Sequence, residues 1–444
     1  MELTIEKLVP GGDGLARHEG KVYFVPMTLP GERVRVRVTD SKKDFARAEA
    51  VEILSPSPDR AEPGCPVFGR CGGCDWQHIA YRAQLREKVA MVEDALRRTG
   101  GLSFPGLRIE GGKPWRYRNR IQIHRGPDGK AGFLARTSHA VVPIGTCPVS
   151  ATAFDYLLAR PAGPAQRTAR DSWGRDRRNE DGWNRDRRGE GRRFAAWTHP
   201  LPDGTGDFLI SEEPGATGPG LILPPEPGSA IPDGPEADSA RTRPGAPVSE
   251  YLGPRVEGSS GGIDARILGK TIRFDLRCFF QSNVEMVEKL IPFALEGLKG
   301  GMALDLYCGV GLFGAFLKDA FARVLAVEEN PISLEYALSN IGDTHDFLRG
   351  RVEDLLAQER GLLAACRPDA VVVDPPREGL DAAVREFLIA RKPPRLVYVS
   401  CNPVTLARDL KTLLAHGFAL DDLRLFDFYP QTAHVEAVAK LSVV

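Results

Sequence analysis

The spacing of apolar positions changes character along the chain, and each change marks a different kind of structure. Over residues 1–54, short runs at 22–25, 34–38 and 48–54 are separated by Gly- and Pro-containing turns, which predicts a small β-barrel. Strict alternation in Val34-Arg35-Val36-Arg37-Val38 puts Arg33, Arg35 and Arg37 on one exposed face. Residues 76–98 carry Ile79, Leu85, Val89, Val92 and Leu96 at helical spacing and stop at Gly100-Gly101, which predicts a helix. Periodicity then lapses. Residues 159–258 are dense in proline, glycine and arginine, and Trp173-Gly174-Arg175-Asp176-Arg177-Arg178 recurs as Trp183-Asn184-Arg185-Asp186-Arg187-Arg188. We read about 159–192 and 211–258 as low-complexity surface insertions, with a hairpin over 194–210 between them.

From residue 264 the pattern becomes regular. A helix is predicted over 284–298 and strands over 302–306, 323–327, 370–373, 396–399, 420–428 and 435–444. Continuous apolar runs alternating with helical segments are the signature of a sheet buried on both faces. The expected architecture is α/β: a C-terminal doubly wound, Rossmann-like sheet (264–444), an N-terminal small β-barrel (1–56), and a central α+β domain (57–263).

The chain has 444 residues, enough for several domains with substantial cores. Acids and bases balance at 59 each, so net charge points to no polyanionic partner and any such surface has to be local. No apolar run reaches membrane-spanning length, and the N-terminus lacks the basic-then-apolar pattern of an export signal. A cytoplasmic, membrane-free protein is expected, with its eight cysteines serving as thiols or metal ligands rather than disulfides.

Cys65, Cys71 and Cys74 cluster with glycines between them, and Cys147 can supply a fourth thiolate. Such a set suits an iron–sulfur cluster or tetrahedral zinc. Basic residues interleave with aromatics in Lys113-Pro114-Trp115-Arg116-Tyr117-Arg118, and Lys42, Lys43 and Arg47 follow the arginine-bearing strand. Both stretches have the composition of a single-stranded RNA surface, though each also reads as a solvated face.

The chemistry gathers where strands end. Tyr307-Cys308-Gly309-Val310-Gly311-Leu312-Phe313-Gly314 is a glycine loop after the first strand, and Glu328 ends the second, placed to accept ribose hydroxyls. Asp374-Pro375-Pro376-Arg377 is a rigid turn that aims an acid into the cleft. Cys401 stands at the carboxyl edge of the strand before Asn402-Pro403, where ligands of open α/β sheets bind. A thiolate adding to carbon 6 of uracil would make carbon 5 nucleophilic toward a methyl donor, so the site should favour the anion. A carboxylate must later take the carbon 5 proton. Glu436, at the head of the last predicted strand and on the same face as His434, is the candidate.

Phe279-Phe280-Gln281-Ser282-Asn283, Asp305-Leu306-Tyr307-Cys308-Gly309, Asp374-Pro375-Pro376-Arg377, Ser400-Cys401-Asn402-Pro403 and His434-Val435-Glu436 resemble, in order, the motifs of the RNA uracil-5-methyltransferases. Residues 1–54 look like that family's TRAM barrel, and the resemblance leaves out only about 159–258. It implies Cys401 as nucleophile and Glu436 as proton-abstracting base. Gln281, Tyr307, Glu328 and Asp374 would contact S-adenosylmethionine, and Cys65, Cys71, Cys74 and Cys147 would hold a 4Fe-4S cluster in preference to zinc. Leu312 departs from the cofactor-contacting asparagine of other members. The implied reaction is methylation of carbon 5 of one uridine in 23S ribosomal RNA by a monomer, with the base flipped from its stack. A transfer RNA substrate is the alternative. An iron–sulfur dinucleotide oxidoreductase leaves Cys401 idle, and a non-catalytic RNA-binding protein makes Cys401 and Glu436 incidental.

Overall fold

The computed structural model describes residues 1–159, 193–198, 208–212, 220–222, 262–275, 277–358 and 361–444. The arginine repeat and most of the predicted insertions lie outside these residues.

The N-terminal strands form a six-stranded sheet around Leu3, Ile5, Ala16, Val25, Val34, Val36 and Ala48. In the strand Arg33–Ser41, Val34 and Val36 turn inward and the arginines outward, while Val38 near the far end is exposed. Two of the three arginines on that outer face are paired with acids. Arg35 pairs with Glu52 and Glu2, and Arg37 with Glu49 at 2.8 Å, so acids on neighbouring strands balance the cations. Exposed pairs of this kind add little stability, and their effect here is on charge. Buried Glu32 accepts from Arg60 at 2.6 Å, and the buried Trp76 indole donates to the Gly12 carbonyl at 3.1 Å. These bonds dock the barrel on the central domain.

The central helix, α1, spans Tyr81–Ala95 and continues through a wider turn, Leu96–Gly100, to Gly101 at φ 65°. Its buried face holds Gln84 and Lys88 beside Met91, Val92 and Ala95, polar positions that the apolar spacing alone does not reveal. The central sheet runs through Arg120–Arg125 and is extended by Arg193–Thr198 and Phe208–Glu212, the two arms of the predicted hairpin. A further strand, Gly220–Ile222, lies inside the stretch read as structureless.

The large sheet contains β1 (Arg108–Glu110), β2 (Gly300–Leu306), β3 (Phe321–Glu328), β4 (Asp346–Arg349), β5 (Ala370–Val373), β6 (Arg395–Ser400), β7 (Phe418–Phe426) and β8 (Glu436–Val443). Their order is β4-β3-β2-β5-β6-β8-β7-β1, with β8 antiparallel to both neighbours. β1 comes from the central domain and joins the edge parallel to β7. The strand Gly262–Ile267 spans the boundary read at 263/264.

Alternate residues of β5 and β6 enter two separate cores. Val372, Val397 and Val399 pack with the helix α2 (Val284–Leu295) and with Ala337 and Ile341 of α3 (Pro331–Ile341). Val371, Leu396 and Tyr398 pack with α4 (Ala382–Arg391) and α5 (Pro403–Ala415). Helices on both faces make the sheet doubly wound. Its parallel strands therefore present their carboxyl ends along one edge. Among the described residues no helix is long and apolar enough to cross a membrane.

Candidate active site

The glycine loop leaves β2 through Tyr307 at φ 61°, Gly309 at 54° and Gly311 at 78°. A tyrosine in the left-handed region is uncommon and persists where the surroundings over-determine it. At Gly311 a Cβ would lie 2.9 Å from the Cα of Ala337 in α3, so the loop seats on the helix only because no side chain intervenes. The Gly309 amide donates to Glu328 Oε2 at 2.9 Å and the Asn330 amide to Oε1 at 2.8 Å. Glu328 is thereby fixed at the end of β3 beside the loop. Leu312 is half-buried against the core on that side of the sheet.

Gln281 approaches from the turn before α2. Its side-chain oxygen is buried without a hydrogen-bond partner, which marks it for a ligand contact. Asn283 caps α2 by accepting from Met286, and its amide donates to the Phe428 carbonyl at 3.1 Å. The turn is thus tied to the segment that leads into β8.

Cys401 is the first residue beyond β6, half-buried, followed by Asn402 as the cap of α5. Pairing of Ser400 with Ala437 sets Cys401 and Glu436 at neighbouring ends of adjacent strands. Asp374 follows β5 at the same edge. The Arg377 carbonyl accepts from Asn402 at 2.9 Å and from Thr405 at 3.2 Å, which fastens the proline turn to α5. Buried Asp409 reinforces it, accepting from the Leu380 amide at 2.9 Å and from the Tyr398 hydroxyl at 2.7 Å.

Three acidic groups thus share one corner with one nearby cation, and their proton affinities follow. Burial pushes Asp374 up to about 7. Burial and then Asp374 raise Glu436 well above the carboxylate range, against the pull of Arg377. The Cys401 thiol is pushed up to about 11, first by burial, then by Glu436 and Asp374. This corrects the expectation that the site favours the thiolate: in the unliganded protein it favours the thiol. One further correction concerns His434. The strand begins at Glu436, and His434 lies before it, exposed, so strand parity does not relate the two.

Cys65, Cys71, Cys74 and Cys147 line one cavity of about 300 Å³, together with Gln77 and Arg118. Among the described residues no three ligating side chains converge closely enough to hold a single metal ion. Burial raises the Cys65 and Cys71 thiols, and pushes Cys74 up to about 12. Arg118 is half-buried here, with its Nε buried and unpartnered. Burial opposes its charge, and the groups that chiefly offset this are Tyr117, Cys74, Tyr429 and Cys147, all weak acids. A largely desolvated guanidinium is favoured by negative charge placed beside it. The cavity is therefore chemically suited to an anionic thiolate centre.

The architecture and the loop at its carboxyl edge define the class of an S-adenosylmethionine-dependent methyltransferase. Residues 265–350 and 356–443 match the tRNA (Uracil-5-)-methyltransferase family, and residues 1–51 match the TRAM domain. An RNA methyltransferase of Halalkalibacterium halodurans is 31% identical over 470 residues, covering 100% of this chain and 97% of that relative. The 23S rRNA (uracil(1939)-C(5))-methyltransferase of Shewanella denitrificans is 31% identical over 477 residues, covering 100% and 96%. Among solved structures, the tRNA (uracil-54, C5)-methyltransferase of Pyrococcus abyssi in complex with S-adenosyl-L-homocysteine is similar, with a TM-score of 0.65, 25% identity, and coverage of 99% of this chain and 100% of that one. The chain belongs to the RNA uracil-5-methyltransferase family and is an S-adenosylmethionine-dependent enzyme acting on RNA.

The segment 427–434, which the central domain grips, gave no sequence signal as a unit. Lys88 bonds Asp427 at 2.5 Å with both side chains fully buried, across a separation no local pattern spans. The one available clue was two polar residues, Gln84 and Lys88, a helical turn apart on α1.

Proposed function

We propose that the protein methylates carbon 5 of one uridine in 23S ribosomal RNA, with Cys401 as nucleophile and Glu436 as base. The observation that carries this reading is the convergence of Cys401, Glu436 and Asp374 at one sheet edge beside the glycine loop. Cys401 first gives up its proton to solvent; the thiolate sulfur then forms a bond to carbon 6 of a flipped uracil, and the electron pair of the ring's carbon 5–carbon 6 double bond moves onto carbon 5 and the adjacent carbonyl. Bound S-adenosylmethionine supplies an electrophilic methyl group. Glu436 then takes the carbon 5 proton, the double bond re-forms, and the sulfur departs by β-elimination. Because Glu436 is held well above the ordinary carboxylate range, it binds that proton readily once ionised.

Gln281, Tyr307, Glu328 and Asp374 would hold the donor, with Glu328 fixed by two amides at the end of β3. Cys65, Cys71, Cys74 and Cys147 would hold a 4Fe-4S cluster. The four thiols line one cavity, a ligand set that a cluster or a tetrahedral zinc ion accepts, and the resemblance to the family favours the cluster. Such a cluster would take no part in methyl transfer, and with the barrel it would shape the RNA-binding side of the molecule.

A second reading is methylation of a transfer RNA. The Pyrococcus enzyme named for transfer RNA aligns over the full length of this chain, so domain content alone does not separate the two substrates. The ribosomal reading rests on the full-length Shewanella relative. Mapping 5-methyluridine in ribosomal and transfer RNA from a deletion strain tests the choice. Loss of one site in 23S RNA is expected, and loss confined to transfer RNA would reverse the assignment.

A further inference from the structure

We propose that one face of α5, made by Thr405, Arg408 and Asp409, is a set of positioning residues that holds the Asp374–Arg377 turn in register with Cys401 and so governs the rate of the covalent step. This rests on the roles proposed above for Cys401 and Asp374.

The two groups need such a tie. The ladder between β5 and β6 ends with Val373 opposite Tyr398, so Asp374 and Cys401 both lie beyond it. Side chains of α5 take over from there. Asn402, Thr405, Arg408 and Asp409 stand at helical spacing, along one side of the helix. Asn402 donates to the Arg377 carbonyl at 2.9 Å, and the Thr405 hydroxyl lies 3.2 Å from that carbonyl and 3.2 Å from the carbonyl of Asn402. Arg408 Nη2 donates to the Glu378 carbonyl at 2.9 Å and the Leu380 carbonyl at 3.2 Å, while its Nε donates to Asp409 Oδ1 at 2.9 Å. Asp409 Oδ2 accepts from the Leu380 amide at 2.9 Å and from the Tyr398 hydroxyl at 2.7 Å. One carboxylate oxygen thus bridges the turn to the strand that carries Cys401. Among the described residues, the side-chain hydrogen bonds that tie 377–380 to other elements come from α5 and from Arg385 of α4.

Gly379 shows how closely this face and the turn fit. It has φ 77°, and a Cβ there would lie 2.6 Å from Asp409 Oδ2, 2.8 Å from Arg408 Nη2 and 2.9 Å from Thr405 Cβ. All three members of the face converge on a position that only glycine can fill. Pro375 and Pro376 make the turn stiff, since each locks φ and leaves few soft dihedrals between Asp374 and Arg377. A shift of the Arg377 carbonyl is therefore passed on to Asp374 rather than absorbed. Asp409 is fully buried, whereas Arg408 is exposed and Thr405 half-buried, so those two can be changed without opening the core.

Misplacing reacting groups slows the chemical step in every molecule, whereas loss of stability reduces how many molecules react. The rate and amplitude of one turnover separate the two. Wild type, Thr405→Val, Thr405→Ser, Arg408→Met and Cys401→Ala are mixed in excess with 23S and transfer RNA transcripts carrying 5-fluorouridine and with saturating S-adenosylmethionine. The Cys401 thiolate bonds to carbon 6, and the methyl group bonds to carbon 5 as S-adenosylhomocysteine leaves. Fluorine then occupies the place of the departing proton, so elimination is blocked and the adduct persists. Denaturing gels over time give rate and amplitude, with RNA affinity and thermal unfolding measured beside them.

Thr405→Val and Arg408→Met should each slow adduct formation about tenfold or more at unchanged amplitude and RNA affinity. Thr405→Ser keeps the hydroxyl and should stay near wild type. Wild-type rates in both Thr405→Val and Arg408→Met overturn the positioning role, as does a fall in amplitude with the rate intact, which marks a contribution to folding alone. Either result, with no adduct in Cys401→Ala, leaves the nucleophile assignment standing. Adduct in Cys401→Ala, or none in wild type on either transcript, overturns that assignment and the positioning role with it.

Discussion

The protonation of Cys401 gives the account its sharpest quantitative handle. Burial, Glu436 and Asp374 move the thiol from its ordinary 9.0 to about 11. Two units lower the thiolate fraction at neutral pH about a hundredfold relative to an unperturbed thiol. The thiolate is the reactive form, so alkylation of Cys401 in the unliganded enzyme should be slow at pH 7 and rise about tenfold per unit toward pH 10. The sign follows from the acid: a raised value keeps the proton on, and reactivity appears only as pH climbs toward that value. Glu436→Gln removes the leading like-charge contribution and should shift the profile to lower pH. Peptide mass spectrometry after timed iodoacetamide exposure isolates Cys401 from the other cysteines. A rate already at its plateau at pH 7 would show a preformed thiolate and refute the electrostatic reasoning. So would a Glu436→Gln profile displaced upward.

Two further outcomes follow from the buried chemistry. Lys88→Met leaves Asp427 buried and unpaired and should cost about 3–5 kcal/mol in denaturant titrations, whereas Lys88→Met with Asp427→Leu should recover most of it. Equal losses in single and double variants would deny the pair its role. Protein purified without air should be brown and carry about four irons per chain, with sulfide in similar amount. Stoichiometric zinc without iron would replace the cluster with a tetrahedral site.

What could be read from sequence was what repeats locally. β5, ending at Val373, and the β6 strand before Cys401 were legible because apolar runs with sharp stops are local patterns. Cys401 and Asp374 share one edge because parallel strands put their carboxyl ends together, and Glu436 joins them because β8 runs antiparallel and begins there. Strand β4, Asp346–Arg349, escaped because it is short and mixed in polarity. Cys401's proton affinity could not be inferred from the residue alone. It depends on burial and on carboxylates from two other strands. The charge balance of the barrel face likewise required register, since Glu49 and Glu52 oppose Arg37 and Arg35 only once the strands pair. Lys88 with Asp427, and Arg118 with Tyr429, join distant stretches that no period relates.

The proposed role of Cys401 as the nucleophile in methylation of uracil carbon 5 is tested by its removal. Wild type and Cys401→Ala should be compared on 23S RNA and transfer RNA transcripts with S-adenosylmethionine, with nucleosides identified by mass spectrometry. The expected result is 5-methyluridine in 23S RNA with wild type and none with Cys401→Ala, while RNA binding persists in both. Undiminished 5-methyluridine from Cys401→Ala would contradict the account.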